Sequence, residues 1–324
     1  MKPRAVPIRN DQHWRELRRT HIGGSECSAL FGEHRYLTPF ELWHRKKNNL
    51  AEPDSSDDER IFWGRCLEPA ILDGVRQKTG WGIQKCHRYY SMQPALGFGG
   101  TLDAEIIGHP HGAGVLELKT VDRYEFKGWN GIPPLSYELQ LMAYMGLTGR
   151  RWGVLAVLIG GNQLQLFTYQ RRIATIALIE ERIAQFWSSI EAGTPPAPDY
   201  QADGEVIAAL YRDARPGLVV DLSDNNRLPE LLGQYEAAAA QRRQWEKVAK
   251  AYRAEIIETL GEAETGVCGE WTVKAATVAG VPDRTITGDD VGEVIRGRTA
   301  YRGLHVSRRP DGAPMASSPG EPAA

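Results

Sequence analysis

The sequence predicts an α/β fold with a mostly helical C-terminal extension, and three observations carry that reading. Between about residues 11 and 192, runs with the two-residue period of strands alternate with runs at helical spacing, which in one compact block means a sheet layered with helices. Two strand-like runs, YYSMQPALGFGGTLDAEII and GVLELKTV, read as neighbours joined by the turn GHPHGAG. Beyond them GTPPAPDYQADG (193–204), rich in Pro and Gly, marks a change of character.

The elements follow in order. DQHWRELRR is a helical turn, IGGSE a glycine break and SECSALFG a second helix. In TPFELWHRKK, Thr38 is placed to cap the N-terminus, Pro39 stands at the first helical position and Glu41 completes a capping box. The acidic stretch EPDSSDDE (52–59) can bury nothing and reads as a loop. Over 60–79, Leu67, Ile71 and Val75 fall at helical spacing, with Gly80 as the C-cap and Pro69 either starting the helix or kinking it. Pro133 and Pro134 open a helix over LSYELQLMAYMGLTG that stops at Gly149. The strand WGVLAVLIGG, the return QLQLFTYQ and a helix over about 172–192 complete the block. Residues 227–260 read as one long polar helix whose thin apolar seam suits a partner helix or the face of the first domain. EWTVKAATVAG and YRGLHVSRR read as strands. The boundaries expected are therefore a first domain over 1–192, a linker over 193–204, a helical module with short strands over 205–306 and a disordered tail over 307–324.

Composition narrows the function classes. The 324 residues, 42% of them hydrophobic, can build a large core, and no apolar run approaches the roughly 20 residues a membrane span needs. The start MKPRAVPIRNDQHW has no secretory hydrophobic region, so a cytoplasmic protein is expected, with no membrane partner. The four cysteines (Cys27, Cys66, Cys86, Cys268) lack the paired spacing of a zinc site or disulfide framework and are expected as reduced thiols. A net charge of −2 does not announce nucleic acid, so any phosphate contact must be local. Basic clusters such as RELRR, HRKK, GRR and QRR are each, taken alone, more often solvated faces. The tryptophans are read as packing residues, and His87, His109 and His111 as surface histidines.

The chemistry concentrates in GFGGTLDAEIIGHPHGAGVLELKT. Residues two apart on a strand share a face, so Glu117 and Lys119 lie side by side between apolar neighbours, and Asp103 on the preceding strand can meet Glu117 across the ladder. Two adjacent carboxylates favour a divalent cation between them, and hard oxygen ligands suit magnesium better than zinc. Such an ion activates water against a phosphodiester, with Lys119 offsetting charge in the transition state. An E-x-K pair on a strand is equally consistent with an exposed cross-strand ion pair. Two further residues bear on the choice: Glu68, at the Pro69 break of its helix, and Gln140, a polar group inside the apolar run YELQLMAYM that needs a buried partner.

Taken in order, IGGSE, GRCLEP, TLD, LELKT and the ELQLMAYM helix resemble the YqaJ-like viral recombinase family of the PD-(D/E)XK nuclease superfamily, related to phage lambda exonuclease, over about residues 14–190. The resemblance implies a PD-(D/E)XK core, a mixed central sheet flanked by helices. It implies Asp103, Glu117 and Glu68 as metal-binding carboxylates, Lys119 as the catalytic lysine and Gln140 as its support. It also implies Arg18 and Ser25 as a pocket for a terminal 5′ phosphate, with Thr101 near the scissile phosphate. Main-chain N–H groups around Gly23 and Gly24 would also suit an anion. The activity implied is Mg²⁺-dependent degradation of linear duplex DNA from its ends, 5′ to 3′, with Mn²⁺ as a substitute metal and a single-strand annealing protein and a homo-oligomeric ring as partners. Ala104 departs from the family's glycine at that position. Residues 122–131 do not align, leaving Arg123 and Lys127 as open candidates for DNA contact. An endonuclease with the same metal site and a non-catalytic DNA-binding scaffold are the alternatives.

Overall fold

The computed structural model describes residues 2–48, 50, 58–93 and 97–280, with strand segments 284–285, 294–295, 301–302 and 305–308. Most of the acidic loop expected at 52–59, and the tail beyond residue 308, lie outside them. The chain divides into two compact units, Met1–Ala214 and Arg215–Ala324.

The first unit contains β1 (Lys2–Pro7), α1 (Asp11–Arg19), α2 (Gly24–Cys27), a 3₁₀ turn (Ser28–Phe31), α3 (Pro39–Asn48), α4 (Glu59–Thr79), β2 (Gly82–Lys85), β3 (Arg88–Gln93), β4 (Gly99–Thr101), β5 (Ala104–Ile107), β6 (Gly114–Val121), α5 (Arg123–Gly128), α6 (Leu135–Thr148), β7 (Trp152–Ile159), β8 (Gln163–Gln170), α7 (Ile173–Ala192) and α8 (Gly204–Leu210). Asn10 caps α1 through a bond from the His13 N–H. The Thr38 hydroxyl accepts the Glu41 N–H at the start of α3, while the Glu41 carboxylate turns to Arg45 instead of closing the expected box. Gly80 and Gly149 end α4 and α6 in the left-handed conformation, as the sequence predicts.

The central sheet has the order β2-β5-β6-β7-β8, with β6 and β7 parallel and the other pairs antiparallel. This is the mixed sheet flanked by helices that the sequence predicts. Its two faces are covered by different helices, which is why β7 is apolar along its whole length. Ile71, Leu72 and Val75 of α4 pack with Leu116, Leu118, Val154 and Ala156 on one face. α6 and α7 cover the other, packing with Val115. The two-residue period of β6 then turns Glu117 and Lys119, in phase with Val115, toward α6.

A second sheet, β1-β3-β4, lies apart in hydrogen bonding from the first. The sequence reads GGTLDAEII as one strand; the structure breaks it at Leu102–Asp103, sending β4 to the second sheet and β5 to the central one.

The segment that follows α7 stays on the first unit. Asp203 is fully buried, accepts the Thr38 hydroxyl at 2.5 Å and takes the Asp199 N–H at 2.8 Å. The division between units falls after Ala214, beyond α8.

The second unit carries α9 (Leu228–Leu260), a 33-residue helix with no buried residue, then β9 (Thr265–Cys268), β10 (Trp271–Lys274), β11 (Thr277–Val278), β12 (Arg284–Thr285), β13 (Val294–Ile295), β14 (Tyr301–Arg302) and β15 (His305–Arg308). β10 pairs with both β9 and β15, β11 with β14, and β12 with β13. Among the described residues no helix is long and apolar enough to cross a membrane.

Candidate active site

Asp103 sits in the bend between β4 and β5. Ala104 is opposite Leu116 in the ladder, so continuing the antiparallel register one step puts Asp103 opposite Glu117. An Asp103 carboxylate oxygen, Oδ2, accepts the Leu118 N–H at 2.9 Å, which locks the side chain onto β6. Glu117 is 1% exposed, which excludes the reading of the E-x-K pair as a surface ion pair. Its Oε1 accepts the Lys119 ammonium at 2.7 Å and the Gln140 amide at 2.6 Å. Its Oε2 is buried, and no donor among the described residues reaches it.

Gln140 is placed by α6, whose spacing puts Tyr137 and Tyr144 on the same face. The amide also reaches the Tyr144 hydroxyl at 3.4 Å. The Lys119 ammonium lies 5.3 Å from the centre of the Tyr137 ring, a cation–π contact that supports the charge.

The electrostatics follow from burial. Burial and then the neighbouring Asp103 carboxylate push Glu117 up to about 8, with Lys119 opposing. Asp103 is raised mainly by burial, with a smaller contribution from Glu68, against the pull of Lys119 and the Leu118 N–H. Burial pulls Lys119 down, but the two carboxylates outweigh it and hold the ammonium form. Two buried carboxylates that disfavour sharing negative charge, one with an oxygen that no donor reaches, fit a hard divalent cation. Asp103 and Glu117 are the residues that could hold it.

Glu68 is not hydrogen-bonded to that pair: its carboxylate forms an ion pair with Lys85 of β2 at 2.9 Å, within electrostatic reach of Asp103. Among the described residues no group of three His, Cys, Asp or Glu side chains is assembled for a metal. Thr101, at the end of β4, has a buried hydroxyl that no hydrogen-bond partner among the described residues reaches, two residues from Asp103.

Arg18 and Ser25 are brought to one small structure, α1 and the glycine turn into α2. Ser25 is exposed on α2. The Arg18 guanidinium lies over the Trp14 ring at 4.7 Å and donates to Glu26 at 3.1 Å. Arg123 donates to Asn162 at the β7–β8 turn, and Lys127 lies 5.9 Å from the Tyr124 ring.

Residues 13–151 match the model of the YqaJ-like viral recombinase domain. The chain is 28% identical over 264 residues to the uncharacterized protein YqaJ of Bacillus subtilis (strain 168), covering 80% of this chain and 81% of that protein. Among solved structures it resembles an alkaline exonuclease from Laribacter hongkongensis, at 20% identity and a TM-score of 0.47 over 61% of this chain and 99% of that one. It also resembles a phage-related exonuclease from Haemophilus somnus 129PT, at 11% identity and a TM-score of 0.42 over 53% and 94%. Arg18, Ser25, Glu68, Thr101, Asp103, Glu117, Lys119 and Gln140 all fall inside the matched stretch.

Sequence reasoning missed the group that organises Arg18. Glu26, 6% exposed, takes the Gly23 N–H at 2.9 Å, Arg18 at 3.1 Å and the Lys46 ammonium at 2.9 Å. Lys46 also donates to the carbonyls of Arg18 and His21, tying α3 to the end of α1. The signal was a carboxylate at the third position of a helix beginning in glycine, which reads as an ordinary capping residue until its two cations are seen. His34 was missed too: burial lowers its pKa, and it stands within electrostatic reach of both Glu26 and Lys119.

Proposed function

We propose that this chain is a Mg²⁺-dependent deoxyribonuclease that degrades linear duplex DNA from its ends, 5′ to 3′, releasing 5′ mononucleotides in phage-type recombination. The observation that carries the reading is the buried Glu117: one oxygen held by Lys119 and Gln140, the other reached by no donor and set beside Asp103. Asp103 and Glu117 would hold the cation, with Glu68 completing the site if it leaves Lys85. When bound, the cation would polarise the scissile phosphodiester and make water a nucleophile at neutral pH.

The chain's own residues supply the rest. Lys119, kept charged by its carboxylate neighbours, offsets the negative charge that builds on the phosphoryl oxygens. Gln140 fixes the rotamer of Glu117, so the free oxygen keeps one direction. The Thr101 hydroxyl is a donor for a phosphate oxygen next to Asp103. Arg18, clamped between Trp14 and Glu26, and Ser25 would receive the terminal 5′ phosphate, which gives the polarity. The strand left behind suits a single-strand annealing partner, and a homo-oligomeric ring around the duplex would let a chain of net charge −2 keep hold of a polyanion.

The test is incubation of the purified protein with linear duplex DNA bearing or lacking a 5′ phosphate, with Mg²⁺ or EDTA, beside closed circular DNA. Loss of linear DNA that needs both Mg²⁺ and Lys119 is expected, fastest on phosphorylated ends. Cutting of closed circles would replace the exonuclease with an endonuclease, and undiminished activity of Lys119→Ala would overturn the assignment of the site.

A further inference from the structure

We propose that α9 is a dimerisation helix, whose exposed face pairs antiparallel with the α9 of a second copy of this chain.

From Leu228 to Thr259, residues taken at alternating steps of three and four form one seam along α9, the spacing at which one helix packs lengthwise on another. The large side chains Leu231, Tyr235, Trp245 and Tyr252 of that seam are exposed, and no residue of α9 is buried. A row of three aromatic rings along one face of a 33-residue helix is more apolar surface than a solitary helix leaves in water without a use for it.

The order of the residues identifies the partner. Counted outward from a point between Arg243 and Gln244, beside the middle of α9, the two halves of the seam mirror each other. Arg242 answers Trp245, Ala238 answers Ala249, Tyr235 answers Tyr252 and Leu231 answers Ile256, with Leu228 and Thr259 at the rims. A two-fold contact requires this mirror, because residue i of one copy must suit residue j of the other and j must suit i. Two copies of α9 laid antiparallel about that point meet along their whole length. Each exposed Arg242 then lies on a Trp245 ring of the other copy, a cation–π pair made twice at the centre. The facing alanines let the helices approach closely, and the tyrosines and aliphatic residues fill the seam on either side.

The parallel arrangement fails the same comparison. It sets every seam residue against its own copy, so Arg242 would face Arg242, two like charges in the middle of an apolar seam. The antiparallel contact closes with two copies, so it is distinct from the contacts of the ring proposed above, and it does not depend on the nuclease reading.

The test uses the full-length chain. Light scattering during gel filtration should give an even multiple of the chain mass for wild type and half that mass for Trp245→Glu, with the main melting transition unmoved. Orientation is read from disulfides, in a background where the exposed Cys66 and Cys268 are replaced by Ser. Ala238→Cys combined with Ala249→Cys should link into a covalent dimer under mild oxidation, well above the background. Ala238→Cys alone should not, because in the antiparallel pair its two copies lie roughly 16 Å apart along the axis, beyond the reach of a disulfide. Should Trp245→Glu lose its fold, the cysteine pair decides, since it leaves Trp245 in place. A wild type that is monomeric or an odd multiple throughout a concentration series overturns the pairing, as does a mass that a folded Trp245→Glu leaves unchanged. Linking by Ala238→Cys alone overturns the antiparallel sense.

Discussion

Glu117 is costly to bury as an anion, and its surroundings meet that cost only halfway: Lys119 and Gln140 serve one oxygen, and no donor among the described residues reaches the other, which adjoins the Asp103 carboxyl. Such an arrangement is stable as a protein feature only if the carboxyl holds a proton or faces a cation. Under the proposed mechanism, replacing Lys119 by Ala removes the charge set against the reacting phosphate, and we expect kcat/KM on linear duplex DNA to fall by about 10²-fold or more with Mg²⁺ present. Steady-state assays beside a melting curve check it. Gln140→Leu leaves Glu117 Oε1 with Lys119 alone, and urea unfolding should show a loss of about 1–3 kcal/mol. Glu26 gives a pH signature of its own. Burial pushes its pKa up, but Lys46, Arg18 and the Gly23 N–H outweigh burial and hold it below the ordinary carboxylate value. A carboxyl depressed in the folded state adds stability that is fully present above its unfolded pKa, near 4.5, and is lost as pH falls through the lower folded value. The stability difference between wild type and Glu26→Gln, from denaturant curves at several pH values, should therefore be constant near neutrality and shrink below about pH 4.5. A difference that held steady down to pH 3 would contradict the linkage.

At the scale of elements, legibility tracked how directly periodicity reports on packing. α4, α6, β6 and β7 were readable because each buries a face at a fixed period: Ile71 and Val75 on α4, and the unbroken apolar run of β7 between two helix layers. The inward turn of Gln140 was readable for the same reason, as a polar residue in an apolar helix. β1 was not read, because Pro3 and Pro7 look like strand breakers; they are tolerated because β1 is an edge strand pairing only with β3. The break at Leu102–Asp103 was invisible as well, since the alternation runs straight through it and the change of sheet is set by long-range pairing. Pro69 could have opened a helix, yet it lies inside α4. The order of the candidate site residues was legible, but the Glu26–Lys46 pair beside Arg18 was not, because 20 residues separate those two in the chain. The Pro-rich stretch after α7 read as a linker by composition, while its Asp203 binds Thr38 at the start of α3. Asp203→Ala strips that hydroxyl and the Asp199 N–H of their acceptor, and chemical denaturation should register a loss of about 1–3 kcal/mol.

At the scale of the whole molecule, every candidate site residue lies in the unit ending at Ala214, and α9, which follows it in the chain, buries none of its own residues. A 33-residue helix without a buried face draws little stability from its own unit, whereas the first unit has three clusters of buried apolar residues on its sheet. The two units should then differ in stability, and the first should fold without the second. A fragment of residues 1–214 is expected to melt cooperatively, within a few degrees of the main transition of the full chain, and to keep the Mg²⁺-dependent hydrolysis of linear duplex ends. A fragment of residues 1–192 lacks Asp203 and leaves Thr38 without its partner, so it should melt lower than 1–214 by about 4–8 °C while cutting DNA with the same metal requirement. Equal melting of the two fragments would mean that the segment after α7 contributes nothing to the core it lies on. Loss of activity in 1–214 with cooperative melting intact would place a necessary part of the enzyme in the second unit, where the long helix and its short strands would then have to reach the substrate.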